Sequence, residues 1–115
     1  MRIKVYGIRN CDTMKKAFAW LEAKKIAYEF HDYKKAGVPP GKLKAWAAKA
    51  GWEKLANARG PTWRKIPEAQ RANLTEARMI ALLESNTSAI RRPIVEAGAS
   101  LLIGFDAEEF AATLR

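Results

Sequence analysis

Three short patterns at the start of the chain leave few folds open. Ile3-Lys4-Val5-Tyr6-Gly7 reads as a brief apolar strand. Met14, Ala17, Phe18 and Leu21 then recur at i, i+3, i+4 and i+7, so residues 13–24 read as an amphipathic helix with one apolar stripe. Ala27-Tyr28-Glu29-Phe30-His31-Asp32 alternates as a second strand. Roughly 20 residues separate the two strands, the span of a right-handed crossover. The strands should therefore run parallel, with the helix stripe facing their sheet.

Strand signals vanish across residues 33–86. Lys42–Ala50 carries Leu43, Trp46, Ala47 and Ala50 at helical spacing, and Gly51 follows as a stop. Pro61 and Pro67 bracket a short segment, and Thr75 opens another helix with Glu76 early and Ile80 and Leu83 on one face. Trp46, Trp52 and Trp63 are expected in its core. Strands return at Ile94-Val95 and at residues 100–103, with Glu96-Ala97-Gly98-Ala99 as the connection of an antiparallel hairpin. Asp106 begins a last helix in which Ala107, Phe110, Ala111 and Leu114 share a face.

The order β-α-β, helical insert, β-β-α predicts an α/β chain with a four-stranded mixed sheet, the thioredoxin-like layout. At 115 residues the chain is too short for two ordinary domains. One domain is expected, with residues 1–35 and 88–115 as the thioredoxin-like core and 36–87 as the insert. Arg92-Pro93 stands directly before the third strand, one of the few places where a sheet accepts proline. In thioredoxin-like folds that proline is typically cis and faces a reactive thiol.

Cys11 is the single cysteine, and it falls where the first strand gives way to the first helix. The opening N–H groups of a helix have no intrahelical partner, and together with the helix dipole they favour a thiolate there. The polar turn Ile8-Arg9-Asn10-Cys11-Asp12 argues against a cysteine that is merely a small core residue. An ordinary thiol, with a pKa of about 8.5, is only a few per cent ionised at neutral pH. A helix terminus contributes about 0.3 to 2 kcal/mol, so a mostly ionised thiol also needs a cation. His31, the only histidine, stands far from Cys11 in sequence and is expected to make a structural hydrogen bond rather than serve as a base.

Other chemistries find little support. The net charge of +9, from 21 Lys and Arg against 12 Asp and Glu, is scattered in doublets such as Lys15-Lys16, Lys34-Lys35 and Arg91-Arg92. Without a long basic run or interleaved aromatics, nucleic acid is not an expected partner. One cysteine and one histidine do not make a metal-ligand set. Glycine-rich phosphate loops are absent. One cysteine excludes an internal disulfide, and with neither a secretory pattern nor a membrane-length apolar stretch the expectation is a cytoplasmic monomer.

Several pieces together resemble the arsenate reductase (ArsC) family, in particular its YffB-like branch of glutathione-dependent thiol reductases. They are Tyr6-Gly7-Ile8-Arg9-Asn10-Cys11-Asp12-Thr13, Phe30-His31-Asp32-Tyr33, Gly51-Trp52-Glu53, Asn57-Ala58-Arg59-Gly60-Pro61-Thr62-Trp63-Arg64-Lys65, Arg92-Pro93-Ile94 and Leu102-Ile103-Gly104-Phe105. The resemblance implies that Cys11 is the nucleophile and that Arg59 and Arg92 bind oxyanion beside it. Arg9 is near enough in sequence to assist. Arg9, Asn10, Asp12, Thr13 and Pro93 are the residues expected to meet substrate or glutathione, and the strand after Pro93 is expected to offer it backbone groups.

A monothiol cannot resolve its own mixed disulfide, so a second thiol must release it. Glutathione is the expected co-substrate, with glutaredoxin as a further partner and a small oxidised or disulfide compound as substrate; no bound cofactor is expected. Two departures weaken arsenate as that substrate. The histidine that the arsenate reductases carry four residues before the cysteine corresponds to Gly7, and their third arginine to Gly104. The Spx-type regulators of the same superfamily usually carry Cys-x-x-Cys, and the second position here is Met14. An Spx-like, non-catalytic partner-binding protein is the alternative expectation, and arsenate reduction the third.

Overall fold

The computed structural model describes residues 2–114. Four strands, β1 (Ile3–Gly7), β2 (Glu29–Asp32), β3 (Ile94–Ala97) and β4 (Ser100–Ile103), form one mixed sheet in the order β2-β1-β3-β4. Strands β1 and β2 are parallel, paired from Lys4↔Glu29 to Gly7↔Asp32, while β3 is antiparallel to β1 and to β4. The helix α1 (Asp12–Ala23) makes the crossover. This is the thioredoxin-like layout expected from the sequence.

Within α1, Met14, Ala17 and Leu21 are fully buried, as the stripe requires. They pack with Val5, Val95 and Phe110 in the core of the sheet unit. The helix ends in a Schellman motif, with the Ile26 N–H donating to the Leu21 carbonyl at 2.9 Å and the Lys25 N–H to the Glu22 carbonyl at 3.1 Å. Residues 24–28 complete this turn, so β2 starts two residues later than the alternation at Ala27 suggests. Tyr28 instead stacks on Phe18 at 5.5 Å between ring centroids, and Phe30 meets Phe18 edge-on at 5.0 Å.

The hairpin is tighter than expected. Glu96 and Ala97 belong to β3, which leaves only Gly98 and Ala99 to connect the strands. Gly98, at φ +60, takes the first central position, where a type II′ turn favours glycine. Glu96 is tolerated in a central strand because it lies opposite Lys4 and its Oε1 accepts a hydrogen bond from the Tyr6 hydroxyl at 3.1 Å. The last helix, α7 (Ala107–Thr113), is capped by Asp106, whose Oδ1 accepts from the Glu108 and Glu109 N–H groups. It sends Phe110 into the core against the edges of Trp20 and Phe105.

The chain divides into two compact units, one formed by the chain up to Ala36 together with the chain from Arg92 onward, the other by Gly37–Arg91. A single turn, α2 (Tyr33–Ala36), completes the first unit after β2. The second carries helices and turns: α3 (Lys42–Ala50), a 3-10 turn at Trp52–Leu55, α4 (Pro61–Lys65), α5 (Glu68–Arg71), α6 (Glu76–Ser85) and a 3-10 turn at Thr87–Ala89. Its core gathers Leu43, Trp46, Leu55, Trp63, Met79 and Leu83. Trp52 is only half-buried, and α6 buries Met79 and Leu83 while Ile80 is half-buried. The segments Leu55–Asn57 and Ala89–Arg91 clasp each other through Asn57 N–H to Ala89 C=O at 2.8 Å and Arg91 N–H to Leu55 C=O at 2.7 Å. Among the described residues no helix is long and apolar enough to cross a membrane.

Candidate active site

The topology collects three chain segments at one edge of the sheet. Parallel β1 and β2 end together at Gly7 and Asp32, and antiparallel β3 begins with Ile94 opposite Tyr6. The loop carrying Cys11 therefore leaves, Tyr33 follows, and Arg92-Pro93 enters, all at the carboxyl end of the parallel pair. That edge is where open α/β sheets generally build their sites.

Cys11 is the N-cap of α1, with extended backbone at φ −146 and ψ 133. Its carbonyl accepts the first helical hydrogen bond, from the Lys15 N–H at 2.9 Å, and its own N–H donates to the Arg9 carbonyl at 3.1 Å. The sulfur thus takes the place of an N-cap acceptor, facing the N–H groups of the second and third helical residues, Thr13 and Met14. Neither N–H makes a formed cap hydrogen bond with it. Both nevertheless stabilise negative charge on the sulfur. Arg92 adds a direct contact, its Nε donating to the Cys11 Sγ at 3.4 Å. Partial burial alone would push the thiol pKa up, but the Met14 N–H, the Arg92 hydrogen bond, the Thr13 N–H and the Arg92 charge outweigh it and hold the thiol below its ordinary value. The thiolate is the nucleophilic form of cysteine, so the arrangement favours reaction at neutral pH.

Arg92 is half-buried, which by itself would lower its pKa; the sulfur and the Tyr33 hydroxyl raise it instead. Tyr33 is fully buried, and its hydroxyl interacts with the Arg92 guanidinium. Burial pushes its phenol up to about 12, although Arg92 pulls the other way, so the ring stays neutral at physiological pH. Tyr33 was not among the residues expected from the sequence. Its signal was its place directly after Asp32, the last residue of the alternating strand, in a piece that carries the family resemblance.

The Arg92–Pro93 peptide is cis, as expected of the thioredoxin-like layout. Pro93 is buried, and its carbonyl accepts the Gly104 N–H at 2.8 Å. Gly104 itself sits at φ +82, a conformation that an arginine in its place would adopt only under strain. The expectation that the strand after Pro93 offers backbone groups to a ligand does not hold for β3. Ile94 to Ala97 lie between β1 and β4 and are paired on both sides.

The remaining expected residues fall in three places. Asn10, Asp12 and Thr13 are exposed around the thiol, and Asp12 opens α1. Arg9 is exposed and holds its guanidinium over the Phe30 ring, 5.2 Å from the centroid. Arg59 belongs to the second unit, where it is exposed and lines a cleft with Ala56, Asn57, Ala58 and Arg91. His31 lies opposite Tyr6 in the sheet, the two rings 5.4 Å apart. Among the described residues no group of three or more His, Cys, Asp and Glu is placed to hold a metal ion.

A β-α-β unit joined to a β-β-α unit, with a lone thiol at the first strand-to-helix turn and an arginine before a cis proline on its sulfur, defines a thioredoxin-like thiol protein. Comparison with known proteins narrows the class. The chain belongs to the ArsC family, whose model matches residues 6–113. It is 46% identical to the solved structure described as "YFFB (PA3664) PROTEIN", at a TM-score of 0.94 over 98% of this chain and 99% of that one. An uncharacterized protein of Haemophilus influenzae is 38% identical over 110 residues, 96% of each chain. The global transcriptional regulator Spx 1 of Lactococcus lactis is 27% identical over 114 residues, 97% of this chain and 88% of that one.

Proposed function

We propose that the protein is a glutathione-dependent thiol reductase in which Cys11 is the single nucleophile. The observation that carries this is the Arg92 Nε on the Cys11 Sγ at 3.4 Å, at the N-cap of α1. The Cys11 thiolate attacks one sulfur of a small disulfide, forms a bond to it and expels the other half as a thiolate, which takes a proton from solvent. Glutathione thiolate then attacks the substrate-derived sulfur, restores the Cys11 thiolate and leaves as a mixed disulfide. A second glutathione reduces that product, giving oxidised glutathione and the free substrate thiol. Arg92 stabilises the sulfur anion at each turn, Arg59 supports anionic charge, and Arg9, Asn10, Asp12, Thr13 and Pro93 bound the substrate. The setting is a reducing cytoplasm, the working unit a monomer, and glutaredoxin a coupling partner.

Incubation with oxidised glutathione followed by intact-mass measurement tests the assignment. Wild type should gain one glutathione at Cys11, removable by reduced glutathione, while Cys11→Ser gains none. An unmodified wild-type chain would contradict it. The similarity to Spx 1 supports a second reading, a regulator that docks on a macromolecule such as RNA polymerase. Met14 removes the Cys-x-x-Cys switch from that reading but leaves docking untouched. Recovery of the same partner from cell extract by wild type and Cys11→Ser would favour it. Arsenate reduction ranks third, since Gly7 and Gly104 stand where the arsenate reductases carry histidine and arginine; arsenate-dependent NADPH consumption with glutathione and glutaredoxin would raise it.

A further inference from the structure

We infer that Tyr33 is a positioning residue: its buried hydroxyl accepts a hydrogen bond from the Arg92 guanidinium and holds that cation against the Cys11 sulfur. This rests on the proposed role of Cys11 as nucleophile with Arg92 as its cation. An arginine side chain has four flexible torsions and, half-buried, many places to go. Here one donor of its rigid fork, Nε, is spent on the sulfur at 3.4 Å, which leaves the Nη donors for the phenol that raises the guanidinium's pKa. Engaging two donors of a planar group leaves it little freedom beyond rotation about the line between them.

The fold delivers Tyr33 to that spot. It follows Asp32, the β2 residue paired with Gly7 at the end of β1, and so leaves the sheet beside the Cys11 loop. The Asp32 Oδ1 accepts the Lys34 N–H at 3.0 Å, which fixes the β2-to-α2 corner and turns the tyrosine inward. The ring is 0% exposed, so its hydroxyl needs a protein partner, and among the described residues no buried side-chain nitrogen or oxygen lacks one.

A phenol suits the task better than a carboxylate. Aspartate or glutamate at this place would pair with Arg92 as an ion and compete with the sulfur for its charge. A neutral hydroxyl orients the guanidinium and leaves that charge to the thiolate. The charged groups facing Tyr33 are Arg92, Cys11 and Asp32, and Asp32 has one oxygen engaged by the corner.

The test is the pH dependence of Cys11 alkylation by iodoacetamide in wild type, Tyr33→Phe, Arg92→Ala and the double variant. Tyr33→Phe should move the midpoint to higher pH and slow alkylation at neutral pH roughly 3- to 10-fold, the size of one lost hydrogen bond. Arg92→Ala should move it further, and the double variant should match Arg92→Ala alone. Movement in Arg92→Ala but not in Tyr33→Phe overturns the role of Tyr33 and leaves the Cys11–Arg92 pair standing, as does full additivity in the double variant. No movement in Arg92→Ala overturns the pair itself. If Tyr33→Phe does not fold, the wild-type NMR spectrum decides: a slowly exchanging Tyr33 hydroxyl proton with a cross-peak to an Arg92 Nη–H supports the inference, and its absence overturns it.

Discussion

The thioether of Met14 fills the space that any side chain at Gly7 would need. A Cβ on Gly7 would lie 2.5 Å from the Met14 Sδ and 2.6 Å from its Cε, and Met14 is fully buried. Gly7 and Met14 are therefore one packing unit. A side chain at 7 requires the buried Met14 thioether to move. Gly7→Ala should cost about 1–3 kcal/mol of stability through overpacking, and less than that when combined with Met14→Ala. Denaturant unfolding of the two single variants and the double measures the coupling; additive losses would mean that the two sites do not compete for space.

Arginine at position 104 should harm the fold. Its φ of +82 lies in the left-handed region, so Gly104→Arg should lose about 1–3 kcal/mol. Gly104→Asn should lose less, because asparagine tolerates that region. Thermal unfolding of both separates backbone strain from any effect of the added charge; equal losses would contradict the strain account.

Stability should respond to pH through the thiol in a definite direction. Burial raises the Cys11 pKa, but the Met14 and Thr13 N–H groups and Arg92 lower it more, so the native thiol ionises below its ordinary value. Between the two values the unfolded chain binds more protons, and stability rises with pH. The stability margin of wild type over Cys11→Ser should therefore be complete above about pH 8.5 and shrink as pH falls through the native value. Tyr33 has the opposite sign: its native value of about 12 exceeds its ordinary 10.0, so its contribution is full below pH 10 and is lost as pH rises toward 12. Urea titrations across the range read both; a Cys11 margin that grows on acidification would contradict the assignment.

Asp106 should matter far more than an exposed aspartate usually does. Its Oδ1 takes the Glu108 and Glu109 N–H groups at 2.9 and 3.2 Å and starts the helix that buries Phe110. Asp106→Ala should cost about 0.5–2 kcal/mol, with Asp106→Asn retaining most of the cap. Unfolding of the two variants gives the comparison.

Where the sequence spoke clearly, it spoke through periodicity. The stripe Met14, Ala17, Leu21 and the apolar run of β1 are dictated by burial against one sheet, and burial leaves a period. The hairpin was read too long because Glu96 looks like loop; its place in a central strand depends on Tyr6 and Lys4 from the neighbouring strand, which no local pattern encodes. Cys11 was legible from its strand-to-helix turn and Arg92 from its proline. Tyr33 was not, because its contact with Arg92 exists only once β1, β2 and β3 share an edge.

The central claim is that the start of α1 and Arg92 favour the Cys11 thiolate and hold the thiol below its ordinary pKa. The pH profile of iodoacetamide alkylation of the wild-type protein measures it directly. The account predicts a midpoint below the ordinary thiol value of about 8.5. A midpoint at or above that value would contradict it.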